Sequence, residues 1–294
     1  MKSIDLNFVI RNMPRRPDDA HKGTMGTLMN ITGSWGYTGA AILCAKAALR
    51  TGVGLLYQIL PESVYPVFAS SVYEAVCVPV SDSADKTISS SSVYYIQTLL
   101  EKASAAVIGC GLKNTDDTRA VVDAVIKSCT SPLVIDADGI NALSAHIDIL
   151  ERAKTDLILT PHPKEFSRLT GDDVSYIVEN RVKAAQDFSL KYPNMTLVLK
   201  GHRTLIAKNG EIYENQTGNS GMAKGGAGDV LSGIIGSLLA QGVSPFKAAV
   251  MGVYLHGRAG DIAAEKLTKT AMLPSDIIDC LPQVFSELEE KNIG

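Results

Sequence analysis

Long hydrophobic runs are missing from this chain. Its most apolar stretch, Val230–Leu239, is broken by Ser232, Gly233, Gly236 and Ser237 and falls well short of the ~20 residues a membrane span needs. Cysteine is scarce and unpatterned. Cys44, Cys77, Cys110, Cys129 and Cys280 are odd in number and form no CxxC pair, which excludes a disulfide framework and a zinc site and fits a reducing compartment. No charge predominates: 28 basic residues face 31 acidic ones, a net charge of -3, so no global field draws nucleic acid or an anionic membrane surface. The basic pair Arg15-Arg16, between Pro14 and Pro17, reads as part of a solvated N-terminal arm over residues 1–18. The first residues carry charges and Asn where a secretory leader needs an apolar run. Domain linkers, internal repeats and low-complexity tails are also absent, so 294 residues read as one domain. These absences predict a soluble, cytoplasmic protein with no nucleic-acid or membrane partner.

What is present is an alternation of short apolar runs and helical-period segments. Strands are expected at Thr27–Thr32, Gly54–Leu60, Ala75–Val80, Ala105–Gly109, Leu133–Asp136, Asp156–Thr160 and Thr196–Lys200. Helices are expected at Ala40–Thr51, Ser91–Lys102, Asp116–Cys129 and Tyr176–Tyr192, then at Asp229–Gln241, Pro245–Glu265 and Pro274–Glu290. Strands apolar throughout are buried on both faces, as in a parallel sheet between two helical layers. Thr204–Ala207 and Glu211–Glu214 flank Asn209-Gly210, a hairpin signal that adds an antiparallel edge. The serine-rich Ser81–Ser92 reads as a surface loop. The fold class is α/β: a three-layer α/β/α sandwich with a mainly parallel central sheet and an antiparallel edge hairpin. The alanine-rich face of Phe246–Ala264 fits either the core or a subunit interface.

Glycine and polar residues collect where these strands end: Gly33-Ser34, Gly109-Cys110-Gly111, Asp136-Ala137-Asp138-Gly139, Thr160-Pro161-His162 and Lys200-Gly201. Ligands of open α/β sheets bind beyond the carboxyl ends of the strands, so these ends outline a site. The segment Asn215–Gly233 is its strongest part. Gly225, Gly226 and Gly228 let main-chain N–H groups reach an anion, and the following helix points its positive end at the same place. Asp229 follows at once, where a carboxylate can take the proton of a hydroxyl attacking phosphorus. Alternatively Asp229 caps the helix and the glycines only make a turn. There is no Walker A pattern, and Gly109-Cys110-Gly111 does not continue as GxGxxG. Lys224 fits either a phosphate contact or a solvated position.

Further motifs give the site a more specific identity. They are His21-Lys22-Gly23 through Gly26, Gly33-Ser34, Tyr37-Thr38-Gly39-Ala40, Ala47–Gly52, Asp136–Asn141, Thr160–Glu165, Leu199-Lys200-Gly201 and Thr217–Ala223. Together with the glycine turn and Asp229 they resemble the ATP- or ADP-dependent NAD(P)H-hydrate dehydratases, a family of ribokinase-like fold, over roughly Asp19 to Lys266. The resemblance implies phosphorylation of the hydroxyl on the hydrated nicotinamide ring of NADH or NADPH, then loss of phosphate to restore the dihydropyridine. It implies Asp229 as catalytic base, and Ala40, Gly111, His162 and Asp229 as substrate-binding residues. Nucleotide would be bound by Lys200, Gly201, His202, Arg203, Thr204, Gly226 and Gly228. Mg²⁺ would arrive with ATP or ADP, and Glu165 either helps hold it through water or serves as a helix N-terminal dipole partner. Asp136 and Asn141 would shape the same pocket, while Asp138 fits either the pocket or a helix cap. The resemblance further implies a homo-oligomer such as a tetramer and a separate epimerase. Many relatives carry Thr at positions 224 and 227, where this chain has Lys224 and Ala227. The competing expectation within the fold is a kinase acting on a vitamin-precursor alcohol.

Overall fold

The computed structural model describes residues 1–144 and 146–293. Its centre is a ten-stranded sheet in the order β1-β10-β9-β8-β7-β6-β5-β2-β3-β4. The strands are β1 (Lys2–Ser3), β2 (Thr27–Ile31), β3 (Leu55–Pro61), β4 (Val76–Val80), β5 (Ala105–Ile108), β6 (Leu133–Ile135), β7 (Leu157–Leu159), β8 (Met195–Leu199), β9 (Leu205–Lys208) and β10 (Glu211–Glu214). Pairing from β4 through β8 is parallel; β9 and β10 turn back antiparallel at one edge, with register Leu197↔Ala207 and Ile212↔Ala207. Each of the seven strands expected before the hairpin is present, β4 at the sheet's other edge.

Alternate residues of each strand feed two separate apolar layers. Leu28, Leu56, Val107, Val134, Ile158, Val198 and Ile206 face one layer. Met29, Ile59, Ile108, Ile135, Leu159, Leu199 and Ala207 face the other. Near-continuous apolar strands follow from this double burial.

The first layer holds α1 (Leu6–Asn12), α2 (Thr38–Arg50), α3 (Tyr65–Ala69), α10 (Ala227–Ala240), α11 (Pro245–Ala271) and α12 (Pro274–Ile293). The second holds α4 (Val93–Leu100), α5 (Asp116–Ser128), α6 (Ala137–Leu143), α7 (Pro163–Thr170), α8 (Val174–Glu179) and α9 (Arg181–Lys191). Helix α10 is apolar on nearly every side because it lies between the sheet and the outer helices. The alanine-rich face of α11 is core: Ala248, Ala249, Val250, Met251, Leu255 and Ala259 are all buried within the single chain.

Several expectations change in detail. Residues 2–12 of the expected arm fold into β1, which pairs with β10, and α1, whose Val9 is fully buried. Arg16, itself exposed, donates to the Gly52 carbonyl. The single helix expected over Tyr176–Tyr192 is two, α8 and α9, meeting at Asn180. Ser81–Ser92 is mostly loop, but Thr87 and Ile88 are buried and an isolated bridge joins Asp82 to Ile88.

The chain runs outward through β2, β3 and β4, then returns to place β5 on the other side of β2 and continues to β8. The carboxyl ends of β2 and β5 therefore splay at a topological switch point, the crevice where α/β sheets bind ligands. A close approach of α2 and α10 closes the bottom of this crevice: a Cβ at Gly233 would stand 2.1 Å from the Cys44 carbonyl oxygen. Gly233→Ala must push the helices apart and should lower unfolding free energy by roughly 2–4 kcal/mol. A urea unfolding midpoint equal to wild type would contradict that packing.

Candidate functional site

The glycine turn sits at the start of α10. Gly226 is its N-cap with φ of 100°, a left-handed conformation that a side chain would strain, and no side chain caps this end. The amides of Gly226, Gly228 and Asp229 find no acceptor among the described residues, whereas Ala227 donates to Lys224 and Val230 to Gly226. Free amides at an uncapped helix N-terminus form an anion site. Asp229 lies in the first turn and caps nothing.

Facing this turn is a buried chain of charges. Lys200, ending β8, places Nζ 2.7 Å from Asp136 Oδ1 at the end of β6 and 3.8 Å from Glu165 Oε2 on α7. Asp136 is 1% exposed, and its Oδ2 accepts the Ser232 hydroxyl at 2.7 Å from one turn further along α10. A Cβ at position 228 would come within 3.3 Å of Lys200 Nζ, so the ammonium lies directly against the turn. Burial opposes both charges of the pair, yet the Lys200 ammonium and hydrogen bonds from Lys200, Ser232 and Thr160 hold Asp136 below its usual range. Asp136 and Glu165 in turn hold Lys200 above its own.

Asp229 is shifted the other way. Burial, and then the charge of Asp136, push it up to about 7, against the lowering influence of the Cys110 thiol and Lys200. Two neighbouring carboxyls are thus driven apart, one fixed as an anion and one poised to exchange a proton near neutrality.

The other expected residues fall into two groups around this centre. Ala40 and Gly111 meet at the switch point: a Cβ on Gly111 would be 2.8 Å from Ala40 Cβ and 2.9 Å from Tyr37 Cβ. Ser34 fixes that turn by donating to the Gly111 carbonyl at 2.7 Å. His162 is the N-cap of α7; its Nδ1 accepts from the Lys164 and Glu165 amides, and Glu165 Oε2 accepts the His162 amide at 2.8 Å. His162 Nε2 stands 3.4 Å from Glu165 Oε1, and burial lowers the imidazole. Gly201, His202 and Arg203 are exposed beyond β8, with Arg203 3.7 Å from Glu214 and the Thr204 hydroxyl bonded to the Gly201 carbonyl.

Lys224 is half-buried. Its ammonium donates to the Thr270 and Met272 carbonyls, where α11 kinks at Thr268 and ends. Asp138 does not cap α6; it accepts the Lys113 amide at 2.8 Å and Asn141 Nδ2 at 3.3 Å, while Asn141 Oδ1 accepts from Arg168.

Sequence reasoning gave no role to four residues the structure places here. Ser232 was legible as one helical turn after Asp229. Cys110, fully buried, puts Sγ 3.7 Å from Asp136 Oδ2. Arg181 on α9 donates to the His202 and Leu199 carbonyls and braces the loop after β8. His256 on α11 has its Nε2 enclosed without a partner, and burial pushes the imidazole down to about 4. No sequence signal marks the last two.

Mg²⁺ requires oxygen ligands. Oxygens of Asp136 and Asp229 lie with Cys110 Sγ within 4.8 Å of one another. A thiol is a poor ligand for this hard cation, and Lys200 already holds Asp136. Glu165 fits better: a buried carboxylate beside Lys200, with a lone pair left on each oxygen for bound water.

The fold is ribokinase-like, and comparison with known proteins narrows the class. The family model described as NAD(P)H-hydrate dehydratase matches residues 28–283. The chain is 38% identical over 280 residues to the bifunctional NAD(P)H-hydrate repair enzyme Nnr of Moorella thermoacetica, covering 95% of this chain and 53% of that protein. It is 39% identical over 254 residues to the ADP-dependent (S)-NAD(P)H-hydrate dehydratase of Neisseria meningitidis serogroup B, covering 85% of this chain and 81% of that one. Among solved structures, an ADP/ATP-dependent NAD(P)H-hydrate dehydratase from Bacillus subtilis, co-crystallised with ATP/Mg²⁺, is similar with TM-score 0.81 and 28% identity, covering 98% of each chain. A ribokinase-like superfamily protein from Enterococcus faecalis has TM-score 0.84 and 28% identity, covering 98% and 96%. The chain belongs to the NAD(P)H-hydrate dehydratase family. It spans about half the length of the bifunctional relatives it matches.

Two stability consequences follow from the charges. An Asp whose folded-state pKa is raised binds a proton more tightly folded than unfolded, so stability falls as pH rises from the ordinary carboxyl value to about 7. Asp229→Asn should therefore be more stable than wild type above pH ~7, by on the order of 1–3 kcal/mol, the gap closing toward pH ~4. Equal denaturation midpoints at both pH values would contradict the raised pKa. Lys200→Met strands Asp136 and should cost roughly 3–5 kcal/mol, much of it recovered on adding Asp136→Asn; additive losses in the double variant would contradict the pairing.

Proposed function

We propose that the chain dehydrates the hydrate of NADH or NADPH, consuming ATP or ADP. The observation that carries this is one juxtaposition: Asp229, poised near neutrality, lies at an uncapped helix N-terminus whose free amides face the Lys200 ammonium. The amides and Lys200 would cradle the transferred phosphoryl group, whose transition state needs positioning and charge stabilisation more than covalent help. Asp229 accepts the proton of the ring hydroxyl as its oxygen attacks the terminal phosphorus, and the shortened nucleotide departs. The ring nitrogen's lone pair then expels phosphate, and loss of the adjacent ring proton restores the dihydropyridine.

The packed turns at Ala40 and Gly111 offer a flat surface against which the nicotinamide ring would lie, with His162 at the rim. Gly201, His202, Arg203 and Thr204 would line the nucleotide, extending from Lys200 and braced by Arg181. Glu165 would hold Mg²⁺ through water, the ion supplying charge neutralisation on the phosphates. A homo-oligomer such as a tetramer and a separate epimerase belong to the same proposal and rest on the family resemblance. Among the described residues no helix is long and apolar enough to cross a membrane; a cytoplasmic site of action is part of the proposal.

Incubation with NADH hydrate, Mg²⁺ and ATP or ADP should restore NADH absorbance; no restoration with either nucleotide would overturn the reading, and consumption with a thiazole alcohol instead would make the chain a kinase. In kcat/KM the acid limb should fall near pH 7, where Asp229 loses its proton. Asp229→Asn should lower kcat by about 10²- to 10⁴-fold while calorimetry shows nucleotide affinity nearly unchanged. Near-normal turnover would return Asp229 to a structural role.

A further inference from the structure

Two large aromatic side chains stand in water at the edge of the site and take no part in the reaction as described. Trp35 is 61% exposed and Tyr37 53% exposed, and both belong to the turn between β2 and α2. This turn is not a loose tip. The Tyr37 amide closes it onto the Ser34 carbonyl at 2.8 Å, the Ser34 hydroxyl donates to the Gly111 carbonyl, and the Trp35 amide donates to the Lys86 carbonyl at 3.1 Å. Lys113, just beyond Gly111, donates its amide to Asp138 and its ammonium to the Asp85 carbonyl. The loops after β2, β4 and β5 and the start of α6 are thereby laced into one rim. A Cβ at Gly36 or Gly39 would meet nothing within 4 Å, so the surface between and beyond the two aromatics is open.

Sheet order gives the rim a use. On the dehydratase reading the phosphoryl donor lies against the end of β8, and the hydrated ring lies at Ala40 and Gly111, between β5 and β2. NADH hydrate is a dinucleotide, and its AMP half must leave that crevice on a side the donor does not fill. Beyond β2 the sheet continues to β3 and β4, away from β8, so the free path crosses the turn at residues 34–37. Building on that reading, we infer that Trp35 is a substrate-binding residue that stacks on the purine of NADH or NADPH hydrate, with Tyr37 flanking it. A purine offers its π-face to an indole whatever bonds its edge makes, and stacking takes apolar surface of both rings out of water. A side chain carried on a hydrogen-bonded turn has less freedom to lose when the purine arrives. The contact touches no reacting atom, so it binds substrate and transition state alike and acts on KM, not on kcat. It gives the enzyme a preference for the whole dinucleotide over the hydrated mononucleotide.

The test compares Trp35→Ala and Trp35→Phe on NADH hydrate and on the hydrate of reduced nicotinamide mononucleotide, which lacks the purine. Trp35→Ala should raise KM for NADH hydrate roughly five- to thirtyfold, with kcat close to wild type. Trp35→Phe keeps a flat ring and should recover most of the loss. The mononucleotide hydrate is followed by its KM, or by its inhibition constant against NADH hydrate if it is not turned over; Trp35→Ala should change that value by less than about twofold. Equal losses on both substrates would put the contact on the nicotinamide half and overturn the inference. A fall in kcat together with a lower urea unfolding midpoint would make Trp35 a structural residue and overturn it as well. Trp35 is the chain's sole tryptophan, so its emission, corrected for absorption by the hydrate, should change as NADH hydrate saturates the protein without ATP or ADP. Constant emission at saturation would exclude the stacking. Wild-type protein that restores no NADH with either nucleotide overturns the dehydratase reading before any variant is made. Active wild type, with Trp35→Ala showing the same KM for NADH hydrate, overturns only the role of Trp35.

Discussion

Lys200 and Asp136 form the interaction on which the site depends. Taking both charges out of water is costly, and such pairs often add little net stability. This one ties the ends of β8 and β6 together under the start of α10, where Ser232 completes the coordination of Asp136. It also sorts the two acids of the site. Asp136, satisfied by Lys200, remains a fixed anion, and after burial its charge is the next cause of the raised pKa of Asp229. The proton-exchanging capacity of Asp229 thus follows from its burial and from a neighbouring carboxylate that stays charged.

The rest of the crevice is built from shape. Free amides at the head of α10 would, on the proposed reading, attract an anion without any side chain having to reach for it. Tight contact of Gly111 with Ala40 and Tyr37 brings main chain from two strand ends together, leaving a surface rather than a hole. His162 contributes by capping α7 as much as by facing the site, and the same hydrogen bonds hold Glu165 beside Lys200.

Much of this was legible in the sequence because it rests on strong local signals. The expected strands inside the sheet are apolar on both faces, and Asn209-Gly210 marks the edge hairpin. Glycine and acid at strand ends marked the carboxyl edge of the sheet. What escaped depends on distant partners. β1 has two residues and exists because β10 is beside it, and α1 is held by core contacts that no local pattern announces. The break at Asn180 lies inside a continuous helical period. Lys224 looked like a phosphate ligand or a solvated charge because nothing in its neighbourhood reveals that residues 270 and 272 return to meet it. Cys110, read as a cysteine in a glycine motif, lies beside two carboxylates only because the fold brings them to it.

The grip of Lys224 on the end of α11 has a mechanical implication. The segment leading into the glycine turn and the kink at Thr268 are clamped to each other by one ammonium bridging two carbonyls. Displacement of the turn on filling would therefore be transmitted to the junction between α11 and α12, where Pro274 lies against Gly226. Slowed amide exchange at Thr268–Leu273 would make that junction a gauge of occupancy at the turn.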